Sequence, residues 1–145
     1  MRPEDLSRLS TPGAPQLHPD GVRVAFTVTT PDLEGDRYVT RIHLFDGATT
    51  RVLTHGPSDS SPRWSPDGRW LAFLRKGEAD TAKPQVVVMP ADGGEALPVT
   101  DVKLGTSALA WAPDSDRLVV VGATYVSELA DLDDDERKRR PRRVT

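Results

Sequence analysis

Apolar residues in this chain come in short blocks that follow turn-forming triplets, and the blocks recur. Val24-Ala25-Phe26, Leu71-Ala72-Phe73 and Leu118-Val119-Val120 stand at one offset behind Pro19-Asp20-Gly21, Pro66-Asp67-Gly68 and Pro113-Asp114-Ser115. The triplets begin at residues 19, 66 and 113, an even step of 47. Leu17, Trp64 and Trp111 each precede their triplet by two residues. A fixed period of this size marks a chain of similar structural units.

The second unit is the plainest. Arg63-Trp64-Ser65 reads as a strand end. Pro66 presets φ for the first corner of a turn, Asp67 bonds the backbone that follows it, and Gly68 accepts positive φ. Trp70-Leu71-Ala72-Phe73-Leu74 returns as a strand that is apolar throughout, the pattern of a strand covered on both faces. The polar stretch Lys76 to Lys83 reads as a loop. Gln85 to Met89 is a β-branched strand, Ala91-Asp92-Gly93-Gly94 a second hairpin turn, and Glu95 to Thr100 a fourth strand. Pro98 suits an edge, because it has no N–H for a ladder.

The first unit matches, with strands predicted at Pro15–Leu17, Val22–Thr29, Arg41–Phe45 and Thr50–Thr54, and Asp46-Gly47 at the second turn. Four short antiparallel strands per 47-residue unit predict an all-β fold of β-propeller blades. The expected division is an N-terminal segment 1–12, blade 1 over 13–56, blade 2 over 57–103 and a partial blade 3 over 104–145. In the third unit the third strand falls near residue 133, inside the run Asp131 to Arg140, so 128–143 reads as a charged insertion. About two and a half blades cannot close a ring, so the expectation is a fragment of a longer propeller.

Composition changes this picture little. The chain has 145 residues, 37 % apolar and 28 % charged, with a formal net charge of −3 and no cysteine. That balance argues against a general binder of nucleic acid or anionic membranes, and there is no disulfide framework or thiolate site. Fully apolar runs such as Leu71–Leu74 are too short to span a membrane. The start Met1 to Leu6 lacks the apolar core of a secretory signal, so a cytoplasmic location is expected.

The segment Ser61-Pro62-Arg63-Trp64-Ser65-Pro66-Asp67-Gly68-Arg69-Trp70-Leu71-Ala72-Phe73 resembles the propeller repeat of prolyl oligopeptidase family serine peptidases. The periplasmic propeller protein of the Tol-Pal system shares that repeat. Three further features resemble the acylaminoacyl-peptidase-like branch of the peptidases. They are the opening Arg2-Pro3-Glu4-Asp5-Leu6, the segment Asp92-Gly93-Gly94-Glu95-Ala96 followed by Val99-Thr100, and the stretch Arg140-Pro141-Arg142-Arg143-Val144-Thr145. The resemblance implies a seven-bladed propeller capping an α/β-hydrolase domain, which carries a Ser-Asp-His triad. None of that triad transfers to this chain. A nucleophile elbow needs Gly-x-Ser-x-Gly, and Gly105-Thr106-Ser107-Ala108-Leu109 lacks the second glycine.

Other candidates are weighed residue by residue. His18, His43 and His55 have no metal-ligand spacing and no nucleophile beside them, so they read as ordinary structural or surface residues. Asp131, Asp133 and Asp135 resemble the start of a calcium loop, but Glu136 and Arg142 stand where glycine and glutamate are required. The bases Arg137 to Arg140, Arg142 and Arg143 are matched by acids from Glu128 onward, so they read as a self-paired, solvated insertion. Trp64 and Trp111 read as packing residues between blades, and Trp70 as peripheral. Asp20, Asp67 and Asp114 read as turn residues.

The expectation is thus a piece of the substrate-gating propeller of a prolyl oligopeptidase family serine peptidase, with no catalytic, cofactor-binding or metal residue assigned in this chain. Its expected partners are the downstream α/β-hydrolase domain, the remaining blades and peptide substrates, with no nucleic acid or membrane. The rival reading is a non-catalytic, protein-binding propeller of the Tol-Pal kind. A third is a self-assembling repeat protein.

Overall fold

The computed structural model describes Asp5 and residues 9–125. Among the described residues ten strands follow one another in chain order: β1 Thr11–Leu17, β2 Val24–Asp32, β3 Arg37–Phe45, β4 Thr50–Val52, β5 Asp59–Trp64, β6 Trp70–Arg75, β7 Gln85–Pro90, β8 Leu97–Pro98, β9 Thr106–Trp111 and β10 Leu118–Gly122. They form a sheet β1-β2-β3-β4, a sheet β5-β6-β7-β8 and a hairpin of β9 and β10. Every pairing within them is antiparallel. This is the meander of propeller blades.

The Pro-Asp-Gly corners join the first two strands of each blade. Gly21 and Gly68 take φ of 75° and 74°, and Ser115 supplies the same conformation at 63°. Gly68 is also boxed in, because a Cβ there would stand 2.7 Å from the His18 ring.

Blades stack face to face, and the alternation of side chains along each strand decides which face a residue joins. Ala25, Ile42 and Leu44 of the first sheet meet Leu71, Phe73, Val87 and Met89 of the second. The opposite face of the second sheet, Ala72, Leu74 and Val86, meets Leu109, with Trp111, Leu118 and Val120 half-buried beside it. β6 is therefore buried on both faces, which explains its unbroken apolar run. Val119 and Val121, pointing away from the second sheet, are exposed.

Several strands differ in extent from the sequence expectation: β1 begins at Thr11, ahead of Pro15, and β4 stops at Val52, short of Thr54. The hairpin of β2 and β3 reaches Asp32↔Arg37, well past Thr29. The fourth strand of the second unit, expected over Glu95–Thr100, keeps ladder pairing only at Leu97–Pro98. Beyond Pro98 the Val99 N–H still donates to the Val86 carbonyl at 2.9 Å, but the bond is not reciprocated. The backbone N–H of Val86 instead turns to the Thr100 hydroxyl at 2.8 Å.

The first strands β1 and β5 carry a bulge at equivalent places, between Gly13 and Gln16 and between Ser60 and Arg63, and β9 shifts register at Ser107 in the same way. Ala14 and Ser61 sit there at φ of 46° and 54°. Left-handed backbone strains a residue with a Cβ, whereas glycine accepts it freely but is more costly to order. Ser61→Gly is expected to raise stability by about 0.5–1 kcal/mol, read as a higher urea midpoint at unchanged slope. A lower midpoint would mean that the Ser61 side chain outweighs the strain.

Candidate functional site

The described residues concentrate their polar structure at the blade joints. At the first joint, His18 is buried and its Nε2 lies 2.8 Å from the Gly68 carbonyl oxygen of the next blade. The Asp20 N–H donates to His18 Nδ1 at 3.0 Å. A carbonyl oxygen only accepts, so Nε2 is the donor of the bond to Gly68. The ring edge meets Trp64 at 4.8 Å between centroids. The Trp64 indole N–H donates to the Gln16 carbonyl at 3.1 Å, and the Trp111 indole N–H donates to the Arg63 carbonyl at 3.0 Å. The same bond thus recurs one unit later. At the second joint a side chain again bridges two corners, with the Asp67 N–H donating to Ser115 Oγ at 3.0 Å.

Ion pairs fasten the same end of the blades. Arg23 pairs with Asp20 at 2.7 Å and reaches Asp92 of the second sheet at 2.9 Å. Arg69 pairs with Asp67, and Arg117 with Asp114. The Arg23 and Val22 backbone N–H groups hold the Asp20 carboxyl well below the ordinary carboxylate range. Asp67 is pulled down to about 2, first by the Ser65 hydroxyl and then by the Arg69 backbone. On the half-buried ring of His43, burial lowers the pKa, helped by Arg41.

These shifts share one sign. A carboxyl with a depressed folded pKa contributes stability above its unfolded value of 3.8, and that contribution is lost as pH falls through the folded value near 2. His43 adds a weaker loss in the same direction below its ordinary 6.5, because the unfolded chain takes up the proton first. Stability is therefore expected to decline as pH falls from about 4 to about 2. Asp67→Asn is expected to flatten that decline in urea midpoints taken across the range. An unchanged slope would remove the corner carboxylates as its cause.

One feature has no counterpart in the other units. Asp59 is fully buried, and Arg75 clasps it through Nε at 2.6 Å and Nη2 at 3.0 Å. The Gly56 N–H also donates to Asp59 Oδ2 at 3.2 Å. The hydrogen bond to Asp59 raises the Arg75 pKa above its ordinary value. Pro12 and Thr106 stand at the positions equivalent to Asp59, and Val28 and Gly122 at those equivalent to Arg75. A cavity of about 260 Å³ lies beside Arg75, bounded by Leu53, His55, Met89 and Ala96.

The remaining sequence candidates are scattered. His43 stacks obliquely on Phe26 with ring centroids 5.7 Å apart. His55 is exposed between the first two sheets, so the three histidines are not brought together. Ser107 lies on β9, exposed, with its hydroxyl 3.3 Å from the Val121 carbonyl. Trp70 is 39 % exposed. Among the described residues, no group of three or more His, Asp or Glu side chains is placed to hold a metal ion. The acidic run Asp131, Asp133, Asp135 and Glu136 and the bases Arg137 to Arg143 lie outside the described residues. Sequence reasoning missed the Asp59–Arg75 pair. The only signal for it was a carboxylate and a guanidinium at positions where the other units carry uncharged residues.

No family model matches the chain. An uncharacterized peptidase of Bacillus subtilis, YuxL, is 36 % identical over 137 residues, covering 92 % of this chain and 20 % of that protein. The acylaminoacyl peptidase of Pyrococcus horikoshii superposes with a TM-score of 0.68 at 25 % identity, over 81 % of this chain and 18 % of that one. A putative TolB of Agrobacterium tumefaciens superposes at 0.58 with 27 % identity, over 87 % of this chain and 41 % of that one. The chain spans about a fifth of the length of the curated peptidase it matches. The blades and these similarities bear out the resemblance to the N-terminal propeller region of prolyl oligopeptidase family peptidases.

Proposed function

We propose that this chain is the opening part of the substrate-gating propeller of an acylaminoacyl-peptidase-like serine peptidase. The chemistry then belongs to an α/β-hydrolase domain elsewhere in the same polypeptide. There a serine attacks the peptide carbonyl, an acyl-enzyme forms, and water releases it. The blades described here select by size. Stacked blades converge on an axial passage bordered by their first strands, and a folded protein is too wide to enter it. The parent therefore takes short peptides, and the likeness to acylaminoacyl peptidase adds N-acylated ones.

The observation that carries this reading is the similarity over nearly the whole chain to a peptidase about five times its length. The open sheet faces agree with it. Val24, Phe26 and Phe45 border an uncovered, mainly apolar hollow of about 520 Å³ on the side of the first sheet away from the second. In a closed ring another blade would cover such a face. The rival reading, a protein-binding propeller, draws on the TolB likeness.

The deciding experiment is the intact mass of the native gene product, with an active-site serine label on the same lysate. Seven blades plus a hydrolase domain predict roughly 60–75 kDa and a labelled band, recovered in the cytosolic fraction. An unlabelled product made of propeller repeats alone would favour the binding module. A product near 15.8 kDa would overturn both.

A further inference from the structure

Four Asp-Gly steps stand in turns of this chain: Asp20-Gly21, Asp46-Gly47, Asp67-Gly68 and Asp92-Gly93. Each invites one reaction, attack of the glycine nitrogen on the preceding side-chain carboxyl, because glycine brings no Cβ to block the approach. The structure restrains the first three steps. At Asp20, Oδ1 accepts the Val22 and Arg23 backbone N–H groups at 2.9 and 3.0 Å. At Asp46, Oδ1 accepts those of Ala48 and Thr49 at 3.0 and 2.9 Å. At Asp67, Oδ1 accepts the Ser65 hydroxyl at 2.6 Å and the Arg69 N–H at 3.0 Å. In all three the carboxylate is fixed to backbone beyond its own glycine. The same bonds hold these carboxyls below the ordinary carboxylate range, led by the Arg23 N–H at Asp20, the Thr49 N–H at Asp46 and the Ser65 hydroxyl at Asp67. A carboxylate is a poor electrophile, because only the protonated acid expels water.

Asp92 shares the turn of Asp20 and Asp67 but none of that restraint. In all three turns the glycine N–H bonds the carbonyl three residues back, from Gly21 to His18, Gly68 to Ser65 and Gly93 to Pro90. Yet among the described residues the Asp92 carboxylate has one partner, Arg23 Nη1 of the first blade at 2.9 Å, and its side chain is 91 % exposed. An ion pair so exposed is weak and opens readily. The surroundings differ as well. A Cβ at Gly47 or Gly68 would stand 2.6 Å from Val22 or 2.7 Å from the His18 ring, whereas at Gly93 it would meet nothing nearer than the Arg51 guanidinium at 3.9 Å. Ladder pairs close the base of the other corners, Leu17↔Val24, Phe45↔Thr50 and Trp64↔Leu71. The last pair before Asp92 is Val88↔Leu97, so this turn extends beyond its ladder. A second glycine, Gly94, adds backbone freedom there.

The geometry points to Asp92 as a site of spontaneous isomerisation to isoaspartate, with water as the only co-reactant. The Gly93 nitrogen forms a bond to Asp92 Cγ, and its proton and the carboxyl OH leave together as water, giving a five-membered imide. Water then adds to the imide. Opening at Cγ restores aspartate. Opening at the former main-chain carbonyl leaves the chain running through Cβ and Cγ, with the main-chain carbon now a free carboxylate. The water lost is regained, so mass is unchanged, and nothing is oxidised or reduced. The product adds one methylene to the backbone of the turn and relocates its carboxylate. Arg23 then loses its link to the second blade and keeps Asp20 alone. The first blade joint thereby loosens as the protein ages. The reaction needs only this turn, whatever domain follows the blades.

The test is made on the native gene product, aged for weeks in buffer at growth temperature. Isoaspartate is counted as methyl groups that an isoaspartyl methyltransferase transfers from S-adenosylmethionine. It is located by separating peptides of equal mass and by resistance to a protease that cuts before aspartate. Isoaspartate at position 92 is expected to exceed that at positions 20, 46 and 67 severalfold. In urea, where the turns are lost, the four steps are expected to react at similar rates. Asp92→Glu changes one exposed side chain. It is expected to remove most of the methyl uptake, because glutamate closes a six-membered imide far more slowly. Absence of isoaspartate at position 92 would overturn the site, as would equal amounts at the four steps or a larger amount at another. Methyl uptake unchanged in Asp92→Glu would overturn it too. So would a lead of position 92 that persists undiminished in urea, since the local sequence and not the fold would then be its cause.

Discussion

Trp64→Ala is expected to destabilise the protein by about 3–5 kcal/mol, the range for removing a large buried aromatic side chain. Trp64 is 8 % exposed and belongs to the core between the first two sheets. Three contributions leave together: apolar burial, the edge contact with His18, and the indole bond to the Gln16 carbonyl. The cavity opens at a joint where both walls are sheets, and sheets collapse poorly around a void. The loss also propagates to His18, whose ring is held between Trp64 and Gly68. Trp64→Phe keeps an aromatic ring but not the donor, and is expected to cost about 1–2 kcal/mol. Urea denaturation of the two variants would separate packing from hydrogen bonding. A loss below about 1 kcal/mol for the alanine variant would show that the joint does not depend on this side chain.

Asp59→Ala is expected to cost about 3 kcal/mol, the lower end of the range for breaking a buried ion pair. Arg75 is left without its carboxylate and Gly56 loses the acceptor for its N–H. The lower end applies because the Arg75 side chain is 28 % exposed and recovers part of its hydration. Two charges removed together behave differently. Asp59→Leu combined with Arg75→Met is expected to recover most of the loss, since an apolar pair of similar volume is often as stable as a buried ion pair. A double-mutant cycle measures the coupling. If the double variant is as unstable as Asp59→Ala, the pair is needed for the local backbone rather than for its own charge balance. Arg75 also lies 5.3 Å from the Phe73 ring centroid, so Arg75→Met keeps an extended side chain over that ring.

Much of the fold was legible because the chain states its rule three times. Pro-Asp-Gly corners, the apolar strands behind them and the placement of Trp64 and Trp111 are local or periodic features. Period-two alternation and turn chemistry are written in adjacent residues. The role of the tryptophans between blades followed from their equivalence, and the indole bonds to Gln16 and Arg63 repeat in the same way. Features that occur once were not legible. The Asp59–Arg75 pair joins residues on two strands, and a lone carboxylate looks the same in sequence whether it faces water or an arginine.

His18 marks the limit most plainly. The residue before a Pro-Asp-Gly corner has no fixed surroundings in the sequence. Ser65 at the equivalent place turns its hydroxyl to Asp67 within its own corner at 2.6 Å, while His18 reaches the next blade. Which of these happens depends on how far apart two corners stand, a distance set by the stacking of whole sheets. The same holds for the hairpin of β2 and β3: its strand character is local, but its exposure follows from the shorter hairpin beside it. The amino-acid sequence by itself determined the repeat, the blade and the family likeness, because those rest on local conformational preference and on periodic burial. The tertiary structure decided the joints, the buried ion pair and the uncovered apolar face, because each depends on atoms brought together across blade boundaries.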